Sequence, residues 1–169
     1  MRRLLALVLI ASSCRLTSDG GVVGVFTPGA AARIEITTTS VAGGHAMILT
    51  ERVDSARATI EASTCTQSVV GGSCDPGNIP LLRTVTQAQL DAIFGVVTSA
   101  EFRAVRPSYR RAGSIIPPDL MQVRLDVTVG ERSRTITWER DAVIPSVLND
   151  LRCLVTTAAG SLILCAERP

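Results

Sequence analysis

The stretch MQVRLDVTVGERSRTITWE, residues 121–139, decides how this chain folds. From Met121 to Val129 the odd positions are apolar, whereas Gln122, Arg124, Asp126 and Thr128 are polar. That is the period of a half-buried strand, because successive side chains point to opposite faces. Gly130-Glu131 then offers a two-residue turn of the glycine-first type, which fixes the register of a hairpin. Val123 faces Trp138, Leu125 faces Ile136 and Val127 faces Arg134; on the other face Arg124 meets Thr137 and Asp126 meets Thr135. A slip of one residue would exchange the two faces. The Val127–Arg134 pair is the one mismatch, and it lies close to the turn.

Upstream of the hairpin, Thr86 and Gln89 form a capping box, and Val85 with Leu90 forms a hydrophobic staple. Leu90, Ile93, Phe94 and Val97 then share one helical face, so a helix is predicted over about Gln87 to Thr98, with a shorter turn at Ala100 to Ala104. Downstream, Pro145 suits the first position of a helix whose apolar stripe is Val147, Leu148, Leu151, Leu154 and Val155. Gly160 suits its C-cap, and Leu162 to Cys165 form a short apolar tail.

Towards the N-terminus the pattern changes to short extended runs. Ile34 and Ile36 alternate with Glu35 and Thr37, and β-branched Thr38 and Thr39 prolong the run. Ala42-Gly43-Gly44 supplies a turn into a returning strand from Met47 to Val53, and Ala56 to Ala62 makes a third. The expected domain is therefore α+β: an antiparallel sheet of about five strands, order βββ-α-ββ-α, with two main helices on one face. From Gln87 to Val155 the helix–hairpin–helix plan resembles small uncharacterised bacterial envelope proteins, a likeness of pattern that carries no activity with it.

The first residues, MRRLLALVLIASSC, read as an address rather than as fold. Arg2 and Arg3 precede the apolar run Leu4 to Ala11, and small Ser12 and Ser13 precede Cys14. With Ala11 where Leu is usual, this arrangement resembles the lipobox of bacterial lipoproteins. That resemblance implies cleavage before Cys14 and acylation of its thiol. The expected organisation is a signal peptide over residues 1–13, an acylated Cys14 with a Gly-rich tether over 14–31, and one domain over 32–169. About 155 residues remain after cleavage, enough for an independent core. Hydrophobic residues make up 46% of the chain and aromatics only 3%, so Val, Leu, Ile and Ala must build that core.

Charge and cysteines agree with an extracytoplasmic setting. Removing Arg2 and Arg3 from the 17 basic residues leaves 15, equal to the 15 acidic ones. A mature domain of balanced charge has no long-range field to draw in nucleic acid, and nucleic-acid binding is not expected. There is no Lys, which rules out a Schiff base, a Ser-Lys dyad and a P-loop lysine. Assigning Cys14 to lipid leaves Cys65, Cys74, Cys153 and Cys165, which allow three pairings. The sequence-local bridges Cys65–Cys74 and Cys153–Cys165 are the simplest, and they would persist in the periplasm or at the cell surface. Neither spacing supplies the close CxxC pair of a zinc ribbon, so no metal is expected.

Catalytic constellations are sparse. His45 is the only histidine, beside a Gly-Gly turn, and neither HExxH nor GxSxG occurs. Glu139 and Asp141 with Asp119 or Asp126 offer a glycosidase-like carboxylate pair, although 15 acidic residues produce such pairs by chance and Glu139 also suits a solvent-facing strand position. The densest cluster is EFRAVRPSYRRAG, read as a loop, where Arg103, Arg106, Arg110 and Arg111 surround Tyr109. Guanidinium forks bind phosphates and carboxylates, and Tyr offers a flat amphipathic surface. The alternative is a solvated loop paired with nearby acids. The expectation is a membrane-anchored envelope lipoprotein acting as a non-enzymatic binding or structural module without cofactor. Its partners are the bilayer, through Cys14, and an envelope protein or polysaccharide. An inhibitor or ligand-binding domain using the Cys65–Cys74 loop is the alternative, followed by a carboxylate hydrolase.

Overall fold

In a computed structural model, β1 (Ala32–Ala42) is the longest strand and holds the middle of a seven-stranded sheet. The structure describes residues 31–68, 74, 80–112 and 121–160. The segment expected to be a signal peptide (1–13), Cys14, nearly all of the expected tether, Asp119, the 162–165 tail and Cys165 lie outside the described residues.

On one side β1 pairs antiparallel with β2 (His45–Asp54), which pairs with β3 (Thr59–Ser68), which pairs with β4 (Leu81–Thr84). A strand over Ser108–Tyr109, β5, lies at the opposite edge and runs parallel to β7 (Arg132–Glu139). β6 (Met121–Val129) joins β7 to β1, giving the order β4-β3-β2-β1-β6-β7-β5. The expected α+β class holds, but two short edge strands enlarge the sheet beyond five and the parallel β5–β7 pair makes it mixed. The third strand also starts at Thr59 rather than Ala56. Residues 55–58 turn, with Ala58 at a positive φ of 50°.

The β6–β7 hairpin has the expected register throughout, including Val127 opposite Arg134. Gly130 takes φ +58°, the left-handed region that glycine enters without steric cost. At the β1–β2 turn Gly43 and Gly44 both take positive φ, as a two-residue turn matched to strand twist requires.

Helix α1 (Gln87–Thr98) begins with the complete capping box: Gln89 N–H donates to Thr86 Oγ1 at 3.3 Å, and Thr86 N–H donates to Gln89 Oε1 at 2.9 Å. A single turn, α2 (Ala100–Arg103), follows, capped by Ser99. The last helix, α3 (Ser146–Ala159), starts one residue later than expected: Pro145 is its N-cap, in extended ψ, and its carbonyl accepts from Leu148 N–H. Gly160 closes α3 in the left-handed conformation. No described helix is long and apolar enough to cross a membrane.

One continuous core fills the space between the described helices and one sheet face. Ile34, Ile36, Val53, Ile60, Val123, Leu125, Val127, Ile136 and Trp138 meet Leu90, Ile93, Phe94 and Val97 of α1, and Leu148, Leu151 and Val155 of α3. The other face carries Glu35, Arg52, Glu61, Arg124 and Asp126. There Arg52 Nε lies 2.8 Å from Glu35 and Nη1 lies 3.8 Å from Glu61.

Candidate functional site

The segment carrying the arginine cluster is anchored by a side chain two strands away in sequence. Arg134, the mismatch in the hairpin pattern, turns its guanidinium onto the end of α2. It donates to the Phe102 carbonyl at 2.8 Å and to the Val105 carbonyl, and it sits 5.5 Å from the Phe102 ring centroid. The Phe102 carbonyl also accepts from Val105 N–H at 3.2 Å, so the cation adds a second donor at the end of the helical turn. Burial lowers the Arg134 pKa from its ordinary value.

From there the chain turns at Pro107, whose carbonyl accepts from Thr137 N–H at 3.0 Å, and enters β5. The expected loop is therefore partly a strand. Tyr109 is only 7% exposed, beside Trp138, and its hydroxyl accepts from Arg106 N–H at 2.8 Å. It serves as floor and core anchor rather than as the exposed contact surface expected of it. Arg106 lays its guanidinium over the outer side of this ring, 5.1 Å from the centroid. Stacking of this kind orients a guanidinium without consuming its in-plane donors.

The four arginines do not form one cluster. Arg103 folds back on α1, with Nε 3.4 Å from the Ser99 carbonyl and Nη2 3.4 Å from that of Thr98. Arg111 is engaged by acids: its N–H donates to Glu139 Oε2 at 2.9 Å, and Nη1 lies 3.8 Å from Asp141 Oδ2. Arg106 and Arg110 are exposed, and neither has an acidic partner among the described residues. Together with Tyr109, Arg111, Asp141 and Val143 they line an open cleft of about 430 Å³. Val143 stands 93% exposed at its wall.

The carboxylates read as a hydrolase combination have structural partners. Glu139 and Asp141 hold Arg111. Asp126 accepts from Arg124 Nε at 2.7 Å and Nη2 at 3.1 Å, and from Thr135 Oγ1 at 2.5 Å. Burial pushes the Asp126 carboxyl up, but these hydrogen bonds outweigh burial and hold it below its ordinary value. His45 opens β2 and is exposed. Among the described residues no three His, Cys, Asp or Glu gather as a metal site would require.

The Cys65–Cys74 bridge is present, with Cα atoms 5.4 Å apart. Cys65 belongs to β3 rather than to a loop, so the bridge ties Cys74 to a sheet strand. Cys153 is half-buried on α3.

Sequence reasoning passed over a buried polar cluster. Glu51 is 1% exposed on the core face, opposite Ile36 on one side and Ala62 on the other, and accepts from Thr156 Oγ1 at 3.2 Å. Arg152 lies one helical turn before Thr156. Burial lowers its pKa, Glu51 opposes that shift, and Arg140 adds to it. The available signal was phase: Glu51 falls in step with Met47, Leu49 and Val53, a charge on the apolar side of a strand.

No family model matches the chain, and no curated protein matches it in sequence.

Proposed function

We propose that this protein is a lipid-anchored bacterial envelope protein whose single α+β domain is a non-enzymatic binding module, presenting the Arg106–Arg110 cleft to an anionic partner. The observation that carries this reading is that two exposed guanidiniums converge on one cleft while the neighbouring arginines are engaged. Arg111 is held by acids and Arg103 by backbone carbonyls. A guanidinium fork left without a carboxylate is a ready site for an external carboxylate or phosphate. The partner is then an envelope protein or polysaccharide rather than nucleic acid, which the balanced charge of the mature chain does not attract.

The lipobox-like residues support an anchor at Cys14, with the domain facing the periplasm or cell surface and joined to it by the 14–31 tether. The Cys65–Cys74 bridge supports an oxidising compartment. Cys153 in disulfide form supports a second bridge, which we assign to Cys165. Cross-linking in intact cells tests the reading. A partner captured by the native chain should be lost when Arg106 and Arg110 are both replaced by Gln in a protein of unchanged melting temperature; undiminished capture would contradict it.

A second reading rests on the bridge itself. Cys74 is exposed and is bridged to Cys65 of β3, so the covalent link closes the chain between them into a ring. A segment restrained by a covalent link has less entropy to lose on recognition, which suits an inhibitor. Capture of a hydrolase that depends on Cys65 and Cys74, and not on Arg106 and Arg110, would select this alternative.

A further inference from the structure

Resting on the cleft as the binding site, we infer that its partner is an extended acidic polypeptide segment, which adds to the sheet beside β5 and sets alternate carboxylates against Arg106 and Arg110. Strand order puts β5 at the sheet margin: β7 occupies one side, and among the described residues no strand occupies the other. An open strand edge is a row of backbone donors and acceptors that a peptide can complete.

Side-chain placement matches such a guest. Tyr109 points into the core, whereas Ser108 and Arg110 on either side of it are exposed, as strand alternation requires. Arg106, stacked on Tyr109, brings a second cation to the same cleft. In an extended peptide, side chains on one face recur at about 7 Å, so every second residue meets the same surface. Glutamates at that period present one carboxylate after another to the two guanidiniums. Charge complementarity and the edge of β5 thus select one chemistry: an extended segment with acidic residues at alternate positions.

The test uses the full mature chain in non-ionic detergent and a fluorescent hexapeptide of alternating Glu and Val, read by anisotropy. Binding should weaken about tenfold or more in Arg106→Gln/Arg110→Gln. It should also fall with added salt, and fall about tenfold or more when alternate peptide amides are N-methylated, which removes the donors that strand addition needs. Equal affinity for the N-methylated peptide would overturn strand addition. So would arginine-dependent binding of phosphatidylglycerol vesicles or inorganic phosphate in preference to the peptide, or of a second copy of the chain in preference to it. Each of those results leaves the cleft standing as an anion site. Absence of peptide binding while arginine-dependent cross-linking persists would overturn this inference alone; loss of arginine dependence in both assays would overturn the cleft as well.

Discussion

The guanidinium of Arg134 holds the end of α2 through the Phe102 and Val105 carbonyls, and so determines where the chain enters β5 and the cleft. Arg134→Met keeps much of the stem but removes the guanidinium donor from both carbonyls, leaving that of Phe102 its bond from Val105 N–H. It should cost about 1–3 kcal/mol, seen as a lower urea midpoint, and should weaken partner capture although it does not line the cleft. An unchanged midpoint would remove Arg134 from this role. Glu51 offers a second test. Glu51→Gln keeps an acceptor for Thr156 but removes the charge that opposes the lowering of the Arg152 pKa, and should cost about 1–3 kcal/mol. Adding Arg152→Met removes the cation left behind and should recover part of that loss; strict additivity of the two changes would show that they are not coupled. Asp126 sets a pH dependence. Its folded carboxyl is held below the ordinary value, so its contribution is full above an unfolded aspartate's pKa of about 3.9 and is lost as pH falls through the depressed value. Asp126→Asn should therefore be less stable than the parent at pH 7, by about 1 kcal/mol or less for a partly exposed pair, and the gap should close on acidification below about pH 4. A gap that widened instead would reverse the sign of this assignment.

Among the elements, those whose partners lie nearby in sequence were the legible ones. The β6–β7 hairpin carries its own turn, and α1 carries its own cap and staple, so local residues specify both. β4 and β5 have four and two residues, and all of β4 is exposed. Neither has a periodicity of its own. Each exists because a neighbouring strand supplies its hydrogen bonds: Tyr109 joins the sheet beside Trp138, and Leu81–Thr84 joins beside Thr59–Ala62. The candidate site was legible in part for the same reason. Its arginines stood together in sequence, but the long-range contacts that divide them, from Glu139 and Asp141 to Arg111, did not show there. The reach of Arg134 onto α2 left only a mismatch as its trace. At this scale the Cys65–Cys74 bridge is the clearest quantity to measure. Replacing both cysteines with Ser should cost about 2–3 kcal/mol on the chain-closure account. An equal urea midpoint with and without the bridge would mean that the closed loop constrains the folded and unfolded chains alike.

Among the described residues, helices on one sheet face leave a polar opposite face and two sheet edges, β4 and β5, without a further strand, and the cleft sits at the edge formed by β5. A tether from Cys14 would let that edge sample the space above a membrane while the anchor keeps the domain from diffusing away. Two or more acyl chains would make release very slow, whereas a single chain would bind only marginally. The proposal therefore depends on the state of Cys14. The direct measurement is the intact mass of the native protein extracted from the membrane fraction, with and without reduction and thiol alkylation. The account predicts a chain beginning at Cys14 with diacyl or triacyl mass, its other four thiols unreactive until reduced. An unacylated chain that keeps residues 1–13 and alkylates without reduction would contradict the anchor, the compartment and the bridges together.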